Sequence, residues 1–349
     1  MASRFSPRIV YWAFALFLVA VAGLTGLWFV GANLVREHIA ATGRALAGDG
    51  GTFRVDTLHI TGFPFRFDAA LGGITVAGRD SQGAWEWRAD RALVHLSPWL
   101  SRDATFDLAG THKLRFHVGR LPLDLEVKAV SAPGEIRMGE DGKPHLLRIA
   151  PAGLTAREVT TGSRLAADGA NLQLFLYPEH KAANTEPSAG MLLELSGVDL
   201  PDKLAGFLGP KLDKLSAEVQ VLSDLPVPVN RQNLARWREG GGSIEVRNLA
   251  LQWGPLHVDG SGTMTLDPGL QPEASFAARM SGFEETANAL VTAGLIREQD
   301  AETVKLLLSL MARRNAPGEA AEIRVPISIQ EHTIFVGPAR LARMPTIRW

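Results

Sequence analysis

Gly50-Gly51-Thr52-Phe53-Arg54-Val55 and Gly241-Gly242-Ser243-Ile244-Glu245-Val246 each open a stretch where apolar and polar residues alternate, and a proline follows at the same offset in both. The first stretch continues through Leu58 and Ile60 to Pro64-Phe65-Arg66-Phe67-Asp68. The second continues through Leu249 and Leu251 to Pro255-Leu256-His257-Val258-Asp259. Period-two alternation is the pattern of a strand with one buried face. Repetition of the whole unit predicts two related β lobes, with Phe65 and Leu256 in corresponding places.

The rest of the chain extends the same pattern. Ile74 to Val76, Trp85 to Trp87, Ala92 to Leu96, Phe106 to Leu108, Leu114 to Val118, Leu123 to Val127 and Asn171 to Tyr177 read as short strands. Asp141-Gly142 reads as a hairpin turn. Many short strands separated by turns predict a mainly β, antiparallel architecture, either an open curved sheet or a groove. Three helical segments interrupt it. Pro201 to Leu215 reads as short helical turns. Arg231 to Glu239 reads as a helix stopped by Gly240-Gly241-Gly242. The third is a helical hairpin at about 282–314, opened by a capping box of Ser281 with Glu284. Glu322 to Ile329 and Thr333 to Val336 close the chain as strands, and Pro326 suggests an edge position.

The N-terminal region constrains location. Residues 1–8 carry Arg4 and Arg8, and Ile9 to Val30 then runs without a charged side chain. As a helix, such a run spans the roughly 30 Å hydrocarbon layer. The charge bias predicts a cytoplasmic N-terminus and an exported remainder. Tyr11, Trp12 and Trp28 sit near the two ends, where aromatic rings prefer the membrane interface. Ala20-Val21-Ala22 has the small-x-small form of a cleavage site, so a removed signal peptide is the competing reading; either way the remainder of the chain is exported. The expected layout is an anchor at 9–30, a helical linker at 31–48, a first β lobe at 49–200, a helical connection at 201–240 and a second lobe at 241–349.

Chemistry is conspicuous by its scarcity. The net charge of −1, without a run of Lys or Arg, leaves out the electrostatic footprint that nucleic-acid binding requires. The chain has no cysteine, which excludes disulfides and thiolate chemistry. The nine histidines are dispersed with no HExxH pair, and solvent-facing strand positions account for them better than a metal site. No GxSxG elbow occurs, and Gly260-Ser261-Gly262 is not followed by a helix. Glu284-Glu285 and Asp300 with Glu302 stand where helices begin, so the helix dipole explains them. Neither catalysis nor a cofactor is expected. Gly62 to Phe67 places Phe63, Phe65 and Phe67 on alternate positions. Together with Leu256 and Val258 they could form one wall of a buried core, or the apolar wall of a lipid-facing groove; alternation reads the same for both.

The anchor-like segment, the Gly62–Asp68 segment GFPFRFD, the Trp253-Gly254-Pro255 element and the Val336-Gly337-Pro338-Ala339 segment resemble a bacterial envelope family, "domain of unknown function 2125". More distantly, an anchor followed by periplasmic sheet resembles AsmA-type envelope proteins. The resemblance implies no active-site residues. It implies an inner-membrane protein of the periplasm, linked to lipid in envelope homeostasis, with the membrane, lipid and other envelope proteins as partners. An envelope scaffold without a ligand is the alternative.

Overall fold

A computed structural model describes residues 23–37, 39–41, 43–44, 50–79, 83–97, 103–118, 121–177, 186–202, 205, 208–224, 229–294, 302, 305, 322–337, 339–344, 346–347 and 349. The expected positions Tyr11 and Trp12, and most of the run at 9–30, lie outside these residues. Among the described residues no helix is long and apolar enough to cross a membrane.

One 18-stranded antiparallel sheet organises the molecule. It starts with β1 (Thr52–Thr61), β2 (Phe67–Arg79) and β3 (Ala84–Leu96), each paired to the next. Three interrupted strands follow. The first is β4 (Ala104–Asp107) with β5 (Gly110–Val118), both along β3. The second is β6 (Leu121–Ala129) with β7 (Pro133–Met138), paired to β5 and β4. The third is β8 (Pro144–Ile149) with β9 (Ala152–Glu158), paired to β7 and β6 and then to β10 (Arg164–Leu176).

From there each strand pairs with its successor: β11 (Pro187–Asp199), β12 (Lys211–Leu222), β13 (Ser243–Trp253), β14 (Leu256–Leu266), β15 (Pro272–Ser281), β16 (Glu322–Gln330), β17 (Thr333–Val336) and β18 (Ala339–Arg343). The registers join β1 only to β2 and β18 only to β17, so the meander does not close on itself among the described residues.

Several expectations need correction. Residues 211–215, read as the end of the short helical turns, instead begin β12 (Lys211–Leu222), because Leu215, Ala217, Val219 and Val221 alternate with polar residues and find partners on both sides. The sheet therefore runs through the supposed connection at 201–240, and the two lobes are not separate sheets. Pro326 is not on an edge strand: β16 is paired on both sides, and Pro326 lies just past the end of the β17 register. His112 is buried on the apolar side, stacked on Trp87, with Nε2 donating to the Leu108 carbonyl at 2.6 Å.

The helices hold to the sequence more closely. α1 covers 23–37, and 39–41 and 43–44 are helical too. α2 (Arg231–Glu239) is capped by Asn230, which accepts from the Asn233 N–H, and it ends at Gly240. α3 (Phe283–Thr292) is where the hairpin's first helix was expected, but its N-cap is Gly282 at φ 70° with no side-chain cap, so the Ser281 capping box does not form. Of the second helix, only Glu302 and Lys305 are described, and both are helical.

A seam crosses the sheet. In β1 the inward apolar positions are Phe53 and Val55, then Leu58 and Ile60; in β2 they are Phe67, Ala69 and Leu71, then Ile74 and Val76. Each strand takes one step of three residues instead of two. In a regular strand that slip would send half of the apolar set to the wrong face. The backbone absorbs it locally: Gly73, at φ 63°, faces Asp56 across the pair, between Val55↔Ile74 and Thr57↔Gly72. Ile74 and Ala89 from one side of the seam share a buried cluster with Ala92 and Leu71 from the other.

The same device recurs in β10–β12. Gly197, at φ 57°, lies opposite both Asp168 and Asp213, where β10 changes phase from Ala167 to Ala170 and β11 from Leu195 to Val198. A Cβ on Gly197 would sit 1.9 Å from Asp168 Oδ2. Gly197→Ala is expected to cost about 2–3 kcal/mol, from left-handed strain and collision together. Adding Asp168→Ala should recover only the collision part, and chemical denaturation of the two single variants and the double separates the contributions.

Candidate functional site

Directly opposed residues in paired strands share a face, so the registers trace which side chains line up across the sheet. One ladder starts at Phe67 and passes through Leu96, Ala104, Ile136, Leu147 and Leu174. It continues through Met191, Val219, Val246, Gly262, Phe276 and Ile327 to Val336. A second, one row away, runs from Ile60 through Ala69, Val94, Phe106, Gly134, Ile149 and Leu172. It then passes through Leu193, Ala217, Leu249, Gly260 and Ala278 to Val325.

Neither ladder contains a polar side chain. At about 4.8 Å between strands, each follows the sheet for roughly 55–60 Å. The opposite face is charged, with ion pairs such as Arg88–Glu86 at 2.5 Å, Arg137–Glu135 at 3.1 Å and Arg115–Asp124 at 3.2 Å.

Helices cover the two ends of the ladders. Trp28 and Ala32 of α1 bury Phe67, with Val35, Ile60 and Leu96 packed around them. Phe283 of α3 closes over Ile323 and Val325, with Met280 and Val336. The middle is different. Among the described residues, none of the ladder positions of β7–β13 belongs to a buried cluster. Ile136, Leu147, Leu174, Met191, Val219 and Val246 are half-buried, and Leu249 is 39% exposed.

The corner at α1 has a defined geometry. The Trp28 ring stacks on Phe67 at 5.7 Å and meets Phe63 edge-on at 5.8 Å, and its Nε1 donates to the Arg66 carbonyl at 3.0 Å. Gly31 permits the approach, since a Cβ there would lie 2.4 Å from the tip of the Phe67 ring. The five residues between β1 and β2 form a turn closed by Arg66 N–H to Gly62 O at 3.1 Å, with a cis peptide bond before Pro64.

The structure thus splits the five residues expected on one apolar face. Phe67 is buried at the start of the first ladder. Phe63 and Phe65 are not strand residues at all; they project from the turn, 51% and 68% exposed. Leu256 and Val258 are half-buried in β14, opposite Trp253 and Leu251. Phe65 and Leu256 do not correspond. The first hairpin closes at Thr61↔Asp68 and the second at Trp253↔Leu256, so loops of unequal length lie beneath a gap-free alignment. Trp28, expected at an interface, is 7% exposed and packed on Phe67. Sequence reasoning missed the seam beside which both ladders run, and its signal was the three-residue step recurring beside Asp and Gly in successive strands.

Polar concavities lie on the charged face. A cleft of about 830 Å³ is lined by Glu126, Lys128, Arg157, Arg164, Asp199 and Asp202, among others. Lys128, at 3.0 Å, holds the Glu126 carboxyl below its usual range. The neighbouring Glu158 is lowered to about 2 by hydrogen bonds from Thr161, side chain first and then backbone. Both carboxylates are thus committed to local partners. A shallower groove of about 570 Å³ carries Arg247, Arg279 and Arg324, with Asp259 pairing Arg279 at 2.5 Å. Among the described residues no group of three His, Asp or Glu could hold a metal.

The sequence profile of a family described as "Uncharacterized protein conserved in bacteria (DUF2125)" matches residues 28–345, nearly the whole chain. The chain belongs to the DUF2125 family. The match begins at Trp28 and so includes the aromatic corner and every strand of this DUF2125 sheet. Comparison with curated proteins and with solved structures returns no match.

Proposed function

We propose that this DUF2125 protein is anchored in the bacterial inner membrane, faces the periplasm, and uses the apolar face of its sheet to bind or shield lipid acyl chains. The observation that carries this reading is the pair of uninterrupted apolar ladders, half-buried between their helix-covered ends. An apolar strip of that length left against water marks a binding surface, and the absence of polar groups along it suits a hydrocarbon chain that asks for no hydrogen bonds. The charge-free run from Ile9 to Val30 after Arg4 and Arg8 supports the anchor and its orientation. The AsmA-like layout belongs to this proposal as well.

The test is to extract the full chain from native membranes in mild detergent and assay the purified protein for co-purifying lipid by mass spectrometry. Lipid retained through detergent exchange at a fixed ratio to protein is the expected outcome. A chain that exchanges all of its lipid as fast as a single-pass control sinks the binding function. A second reading, an envelope scaffold, is favoured by β1, which among the described residues is paired only to β2 and could add a partner's strand. It predicts crosslinks concentrated along β1 and no retained lipid.

A further inference from the structure

The turn between β1 and β2 is an unusual place for exposed aromatics. Phe63 and Phe65 stand 51% and 68% exposed on either side of Pro64. The adjacent helix does the same: Leu27, Phe29, Val30 and Leu34 are each more than half exposed, while Trp28, Ala32 and Val35 form the stripe that packs on the sheet. Around the helix axis the exposed four cover every direction except that stripe. α1 is therefore apolar on its free sides from Leu27 to Val30 and again at Leu34, and its exposed polar end begins at Asn33, whose Oδ1 accepts from Arg36 at 2.8 Å, with Arg36 and Glu37 the first exposed charges.

We propose that the Gly62–Arg66 turn dips into the lipid surface beside α1, as a second, aromatic contact between the sheet and the membrane. The proposal rests on the membrane-anchored reading above. Three observations select a lipid bilayer as the occupant. The exposed apolar residues of α1 continue directly, in sequence, the charge-free run from Ile9. Trp28 touches Phe63 and hydrogen-bonds Arg66, which sets the turn at the level of Trp28. At 1.5 Å per residue, that level is about 12 Å nearer the apolar end of the helix than Arg36. If Arg36 and Glu37 remain in water, Phe63 and Phe65 reach the interfacial zone, where aromatic rings are favoured.

The polar rim fits as well. Arg66 is ion-paired to Asp68 at 2.7 Å while its side chain stays 64% exposed, so it can meet lipid phosphate from the edge of the turn. His95 Nδ1 completes the rim on Asp68, at 2.7 Å. The consequence for the site is specific. Phe67, where the first ladder begins, follows this turn by one residue, so the apolar track would start at the membrane surface.

The chain has no cysteine, so a single one can be introduced and labelled with a nitroxide. Phe65→Cys tests the turn. Val159→Cys, 51% exposed in the connection between β9 and β10 at the opposite end of the strands, serves as the control. Full-length protein is reconstituted into vesicles of phosphatidylethanolamine and phosphatidylglycerol, and relaxation by oxygen is compared with relaxation by a water-soluble nickel chelate. The expected result is that oxygen dominates at position 65 and the chelate at position 159. If the chain floats with the vesicles but position 65 responds to the chelate as position 159 does, the turn proposal is overturned and the anchored reading stands. If position 65 is shielded from both reagents, a protein surface covers the turn, and the proposal is overturned in favour of a partner. If the chain does not float with the vesicles, both readings fall together.

Discussion

Val219→Glu is expected to leave the protein folded and strip it of bound lipid, while Ile323→Glu unfolds it. Both residues lie on the same apolar face of the same sheet, and they differ in what covers them. Ile323 is 1% exposed, sealed under Phe283 of α3. A carboxylate there has neither water nor a partner, a change that costs several kcal/mol, or it must bind a proton. A loss of about 4 kcal/mol or more would consume most of the stability of an ordinary domain.

Val219 sits mid-ladder between Met191 and Val246, half-buried and, among the described residues, outside the buried clusters. A glutamate at that position can turn its head to water, so the expected loss is about 1–2 kcal/mol. The same charge would stand in the path of a hydrocarbon chain. Denaturant midpoints and lipid retention, measured on both variants, decide the matter. Equal, severe destabilisation would mean that the middle of the ladder is a closed core, and the groove reading would fail.

Phe67→Ala is expected to cost about 3–5 kcal/mol, the range for removing a buried aromatic ring, and to release α1 from the sheet. Phe67 is 2% exposed and carries the stacking contact to Trp28, while Gly31 and Ala32 are small enough to let the helix approach it. With the ring gone, the hydrogen bond from Trp28 Nε1 to Arg66 O is the main directional contact left at the corner. Limited proteolysis near Arg36, alongside thermal unfolding, should show the helix becoming accessible before the sheet melts. Phe65→Ala is the matched control: at 68% exposure it should change stability by no more than about 0.5 kcal/mol. If the two variants behave alike, α1 is not held by Phe67 and the aromatic corner has been misread.

Much of the architecture was legible in the residues. Period-two alternation from Thr52 onward, the Asp141-Gly142 turn and the glycine stop after Glu239 correspond to observed strands, a hairpin and the end of α2. The errors have identifiable causes. Leu204, Phe207, Leu208, Leu212 and Leu215 have helix-like spacing, yet from Lys211 onward the chain pairs with β11 and β13 because strand partners were available on both sides. Phe63, Phe65 and Phe67 alternate perfectly, yet only Phe67 is in a strand, since the turn at Gly62 ends the ladder. The Phe65–Leu256 match failed because an alignment of letters carries no information about where a hairpin closes.

By itself, then, the sequence determined that the chain forms antiparallel strands with one apolar side and that a charge-free segment precedes the sheet. These properties come from local chemistry: side-chain period, turn residues and charge. Whether the repeated hairpins form two lobes or one continuous meander was decided only in three dimensions, because strand pairing is a contact between residues far apart in the chain. The seam was decided there too. A three-residue step reads as broken alternation until an opposing glycine in the left-handed region returns the strand to its face. Burial settled the rest: Phe67, Val219 and Ile323 are equally apolar as letters, but Phe67 packs under Trp28 of α1 and Ile323 under Phe283 of α3, while Val219 is half-buried.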